Sequence, residues 1–115
     1  MHELSIALSI VDGVLEEAQQ HGAAQVEVVY LRLGRFSGVD KEALLFSYEI
    51  ATQGTPLAQS RLMIEDVEVT LFCPVCRAER PSREWPLLVC SDCGATGERV
   101  VHGEELEINK LEIAA

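Results

Sequence analysis

The amino-acid sequence predicts an α+β fold: a three-stranded sheet with two helices, plus an inserted cysteine-bearing subdomain. Three observations carry that expectation. Apolar residues recur at helical spacing from Leu4 and again from about residue 41. Stretches rich in β-branched and aliphatic residues separate and follow those helices. Two close pairs of cysteines then interrupt the pattern late in the chain. At 115 residues, 48% of them hydrophobic, the chain is one domain's worth and can bury a modest core with few aromatics.

Leu4, Leu8, Val11, Leu15 and Ala18 step by four and three, the spacing of one helix face, and Ile6, Ile10 and Val14 widen it. Glu16, Glu17, Gln19 and Gln20 fill much of the other side, and His21-Gly22 reads as the stop. The helix therefore begins almost at the amino end, and its packing is expected to hold Met1-His2-Glu3 in place. Val26 to Leu33 (VEVVYLRL) ends at Gly34 and reads as a strand. Ser37 followed by Asp40, in the manner of a capping box, opens a second helix running to about Ala51. Leu44, Leu45, Tyr48 and Ala51 share its inner face, and Gly54 and Pro56 end it.

A second strand is expected over Leu62 to Phe72, with Val67, Val69 and Leu71 inward. A third covers Glu104 to Ile113, where a switch of apolar parity hints at a bulge. Residues 1–70 and 101–115 then form a discontinuous host domain, and 71–100 an inserted domain. The second and third strands are expected to pair, holding the two ends of the insertion together.

The formal charge of −10 and pI near 4.6 exclude a nucleic-acid footprint, which needs basic residues along a phosphate backbone. No basic start precedes an apolar h-region, since Ser5, Asp12 and Glu16 interrupt the early apolar residues. No apolar run reaches the length of a membrane span. A soluble, cytoplasmic protein is the expectation, and an acidic surface suits one.

Cys73-Pro-Val-Cys76 and Cys90-Ser-Asp-Cys93 place two sulfurs on each of two tight knuckles. Four thiolates at about 2.3 Å complete a tetrahedron that Zn(II) accepts, with no position left for water, so the expected role is structural. Gly94 suits the left-handed turn such knuckles use. Paired disulfides need an oxidising compartment, and bridges within CxxC are usually redox devices. An iron–sulfur cluster or a rubredoxin-like iron shares the spacing and stays open as an alternative. An insertion this poor in apolar residues needs the metal's binding energy to fold. Trp85, beside Pro86, is expected in its small core.

His2 gives the amino end a second chemistry. The Met1 amine, the backbone nitrogen of His2 and its imidazole can close fused chelate rings around one ion. Nitrogen ligands near a square plane suit Ni(II) or Cu(II). An imidazole must be neutral to ligate, so binding of this kind weakens as pH drops past the ordinary histidine range, about 6.5. His21 and His102 read as structural residues at a helix end and a strand start. No nucleophilic set, phosphate loop or open three-ligand zinc site occurs, so no enzyme is expected.

The opening Met-His-Glu-Leu-Ser-Ile, the two CxxC pairs after a strand, and Gly103-Glu104-Glu105-Leu106-x-Ile108 resemble the HypA/HybF family. Ser37-Gly38-Val39, Phe46 and Tyr48 fit the same likeness. The resemblance implies a nickel metallochaperone of [NiFe]-hydrogenase maturation. It places nickel on the Met1 amine, His2 and Glu3, and structural zinc on Cys73, Cys76, Cys90 and Cys93. It further implies a HypB-type GTPase partner and delivery into the hydrogenase large-subunit precursor, and it leaves open an approach of the Asp40 carboxylate to nickel. The residues read alone also allow a zinc-ribbon protein-interaction module without nickel transfer.

Overall fold

A computed structural model describes residues 2–22, 25–83 and 87–114. In chain order the elements are α1 (Glu3–Gln20), β1 (Val26–Gly34), α2 (Lys41–Thr52), β2 (Arg61–Val67), β3 (Thr70–Cys73), β4 (Ala78–Pro81), β5 (Arg99–His102) and β6 (Leu106–Ile113). The α+β class stands, with both helices where the periodicity predicts them. The strands form two three-stranded sheets, ordered β2-β1-β6 and β4-β3-β5.

Two expectations about the strands are overturned. The stretch 62–72 is two strands, broken at Glu68-Val69, and its halves join different sheets. Nor do the second and last strands of the host sheet pair, because β1 lies between them. The burial of β1 explains its place. Val26, Val28, Val29, Leu31 and Leu33 are all buried, the near-continuous profile of a central strand. By contrast β6 is exposed along most of its length, as suits an edge.

The backbone divides into two compact units: Met1–Arg32, Val39–Glu65 and Glu107–Ala115 form one, and Leu33–Gly38 with Asp66–Leu106 the other. The first unit has the larger core, in which α1 and α2 bury Ala7, Ile10, Val11, Val14, Leu44 and Tyr48 with residues of β1 and β2. The inward stripe of α1 is rotated from the predicted one, for Leu4 and Leu8 are 47% and 48% exposed. Glu3 sets that rotation. It is buried one turn before Ala7, and its carboxylate accepts the backbone N–H of Asp40 at 3.0 Å. The ridge Glu3-Ala7-Ile10-Val14 consequently faces the core.

Asp40, not Ser37, caps α2, its Oδ1 accepting from Ala43 N at 3.1 Å. The phenol of Tyr48 reaches Ser60 Oγ at 2.7 Å, and burial pushes its pKa up. The second unit is built on β3, antiparallel to β4 (Cys73 opposite Ala78) and to β5 (Phe72 opposite Arg99). Its fully buried core residues are Leu71, Cys73 and Cys90, with Cys76, Leu88 and Ala95 packed around them. Among the described residues, no helix is long and apolar enough to cross a membrane.

Candidate metal centre and amino end

The four cysteines converge. Cys73 closes β3, Cys76 follows in the turn to β4, and Cys90 and Cys93 form a second turn, with all four sulfurs within 4.8 Å of one another. Cys73 Sγ lies 3.5 Å from Cys93 Sγ, and Cys76 Sγ 3.9 Å from Cys90 Sγ. A disulfide is about 2.05 Å long, so these are free thiols. A tetrahedron with metal–sulfur bonds of about 2.3 Å has sulfur–sulfur edges of about 3.8 Å. The site therefore fits one divalent ion of zinc's size.

Both turns share one backbone design. Arg77 N donates to Cys73 O at 2.8 Å, and Gly94 N to Cys90 O at 3.0 Å. Each donor takes a left-handed φ, +55° at Arg77 and +78° at Gly94. A backbone N–H points at the first sulfur, Cys76 N donating to Cys73 Sγ at 3.4 Å. Two of the thiols are pushed in opposite directions. Burial and the neighbouring sulfurs push Cys76 up to about 12, whereas backbone N–H donors bring Cys90 down to about 6. Thiols must lose their protons to ligate, so a cation entering the cage expels protons.

Two sequence-predicted features, Met1 and Trp85, lie outside the described residues. His2 is exposed at the N-cap position of α1; its carbonyl accepts from Ile6 N at 3.0 Å, and its imidazole makes no capping bond. Glu3 next to it is 6% exposed and bonded to Asp40. Residues 2, 3 and 40 are therefore neighbours, while the cysteine cluster belongs to the other unit. His21 lies 3.4 Å from Glu17, one turn back on α1, and His102 Nδ1 lies 3.1 Å from Glu105 Oε2. Neither joins the cluster.

Sequence reasoning missed the Glu3–Asp40 link and Arg80, whose Nε stands 2.7 Å from Asp92 Oδ2 in the second knuckle. The signal for Arg80 was local: an arginine at the same strand parity as the half-buried Ala78.

Comparison with known proteins places this architecture. The family described as "Hydrogenase/urease nickel incorporation, metallochaperone, hypA" matches residues 1–113. The hydrogenase maturation factor HypA of Chloroflexus aggregans is 46% identical over 112 residues, covering 97% of this chain and 98% of the relative. That of Synechococcus sp. is 39% identical over 114 residues, covering 98% and 99%. The solution structure of the Ni metallochaperone HypA from Helicobacter pylori aligns over 100% of this chain and 99% of its own. Its TM-score is 0.70 at 26% identity.

Proposed function

This chain belongs to the HypA family of nickel-incorporation metallochaperones, and on that premise we propose that it carries Ni(II) on its amino end. The ion is taken by the Met1 amine, His2 and Glu3 and handed on during [NiFe]-hydrogenase maturation in the cytoplasm. The receiving partners are a HypB-type GTPase and the hydrogenase large-subunit precursor. Nickel falls to the host domain, residues 1–70 and 101–115, and zinc to the insertion, residues 71–100. The protein acts as a carrier and catalyses no reaction.

The observation that carries this reading is the contrast between residues 2 and 3. His2 is exposed with its imidazole uncommitted to capping, while Glu3 is buried and fastened to the start of α2. The first N–H groups of an α-helix have no intrahelical acceptor. Backbone nitrogens at positions 2 and 3 can therefore lose a proton and ligate without breaking the helix. Anchoring by the Glu3 side chain reduces the entropy lost when the chelate closes. Exposure at His2 lets the ligands of an acceptor protein displace it one by one.

The zinc assignment is supported by four free cysteine sulfurs that lie within 4.8 Å of one another. Cys73, Cys76, Cys90 and Cys93 would hold the ion, and four protein ligands leave no position for substrate. Zinc, when bound, supplies folding energy and the neutralising charge. The chain's own residues set the geometry: two hydrogen-bonded turns deliver the sulfurs, and backbone N–H donors favour their ionised form.

Titration calorimetry with Ni(II) tests the carrier role. His2→Ala, or one glycine added before Met1, is expected to weaken binding at least about 100-fold, or roughly 2.7 kcal/mol. Unchanged affinity in both would overturn the reading and favour a zinc-ribbon interaction module. Glu3→Ala is expected to act differently, removing the acceptor of a part-buried N–H at a cost of about 1–3 kcal/mol in stability. Hydrogen exchange at the Asp40 and Ala43 amides should speed up, and nickel should bind more weakly through lost order. Glu3→Gln, which keeps an acceptor oxygen, should recover most of both. Amide exchange at Asp40 that is equal in parent and Glu3→Ala would refute the anchoring role.

A further inference from the structure

We infer that Arg80 is a positioning residue of the cysteine centre, paired with Asp92 of the second knuckle so that its guanidinium supplies positive charge just outside the ligand shell. The inference rests on the reading that the cluster holds one divalent ion. Four thiolates around such an ion carry a formal charge of −2, and a half-buried site needs that charge answered.

Arg80 is placed to answer it. It lies on β4 opposite the fully buried Leu71 of β3, and with Ala78 it occupies the less exposed parity of that strand, while Glu79 and Pro81 are exposed. Its Nε is fully buried and lies 2.7 Å from Asp92 Oδ2, off the axis of the N–H bond. Its Nη1 donates to the Glu79 carbonyl at 3.0 Å, and although burial works the other way, the charges of Asp92, Cys76 and Cys90 hold its pKa above the usual value. Asp92 sits between Cys90 and Cys93, so the arginine ties β4, which follows the first knuckle, to a side chain of the second. A half-buried arginine whose Nε is shut off from solvent beside Leu71, Cys73 and Cys90 has no apolar rationale. As an outer-sphere cation beside a metal–thiolate group it has one, because a fixed positive charge outside the ligand shell offsets the thiolate charge while its Asp92 partner orients the knuckle.

Full-length protein loaded with Co(II) as probe tests this through the thiolate-to-cobalt charge-transfer band and chelator competition. Arg80→Gln is expected to move the band to lower energy and to weaken metal binding by about 10–100-fold. It should also speed iodoacetamide alkylation of the loaded cluster. Arg80→Lys, which keeps the charge, should restore most of the band position and affinity. Arg83→Gln, whose side chain meets the Ser91 carbonyl at 3.5 Å, should change neither. An Arg80→Gln protein with parental band and affinity overturns the inference. So does a lysine variant as impaired as the glutamine one, or an equal effect of Arg83→Gln. If Arg80→Gln fails to fold around the ion, Asp92→Asn carries the test: a band displaced in the same direction supports the role, and an unmoved band overturns it. Failure of the parent protein to take up one Co(II) with a four-thiolate spectrum would strike the metal reading itself. A normal parent with silent variants strikes only Arg80.

Discussion

On the proposed zinc assignment, removal of the ion by a strong chelator, or Cys90→Ser, is expected to abolish the ordered structure of Asp66–Leu106 while α1 and α2 persist. Among the described residues, the buried apolar side chains of that segment are Val67, Val69, Leu71, Cys73 and Cys90. So few buried side chains cannot offset the conformational entropy of ordering some forty residues, and a structural metal ion adds binding energy that is available only when the segment is folded. Amide NMR should show lost dispersion confined to residues 66–106, with helical circular dichroism largely kept. A chelated protein whose amides in that segment stay dispersed and protected would contradict the account.

What could be read from the chain divides by the range of the interaction that fixes it. Helix α1 follows from apolar spacing within eighteen residues, and the metal cage from two CxxC pairs whose turns are closed by bonds from Arg77 and Gly94 back to the first cysteine. Both are local, and both were legible. Sheet membership is not. Val67, Val69 and Leu71 alternate without interruption, yet the chain changes sheets between them, because a period of two records which face is buried and not which strand lies alongside.

The rotation of α1 was hidden for a similar reason. It depends on a buried carboxylate meeting a backbone N–H 37 positions away, and a glutamate in a first helical turn ordinarily reads as a solvated charge. Asp40 shows the competition between two local signals. Ser37 and Asp40 both suit an N-cap, and the position whose side chain reaches Ala43 N prevails. The proposed nickel ligands rest on the exposure of His2, the anchoring of Glu3 and the family's opening motif.

Gly34→Ala should be the most damaging conservative substitution away from the cysteines, costing more than about 4 kcal/mol. A Cβ at Gly34 would overlap the Gly103 carbonyl and stand 2.6 Å from Glu104 N, all of it backbone. Neither segment can easily retreat. Gly34 N donates to Glu105 O at 2.8 Å, Phe36 N to Gly103 O at 2.6 Å, and Arg35 N to Val67 O at 3.3 Å. The Glu105 carboxylate fixes the opposing turn, accepting from Gly103 N at 2.7 Å with His102 Nδ1 at 3.1 Å.

Burial works against ionising that carboxyl, but the N–H groups of Gly103 and Glu105 and the His102 ring outweigh it and hold its pKa below the usual value. A depressed pKa means that the clasp contributes fully above the ordinary carboxylate range and is lost as pH falls through the folded value. Gly103 itself, at φ +126°, takes a backbone conformation closed to other residues, so it cannot yield by rotating. The control is Gly13→Ala in α1, where a Cβ meets nothing within 4 Å and about 0.5–1 kcal/mol of stability should be gained. Urea midpoints of parent and both variants at neutral pH decide the matter. If the two alanines shift the midpoint alike, Gly103 and Glu104 have moved aside and the backbone contact at Gly34 is not the constraint argued here.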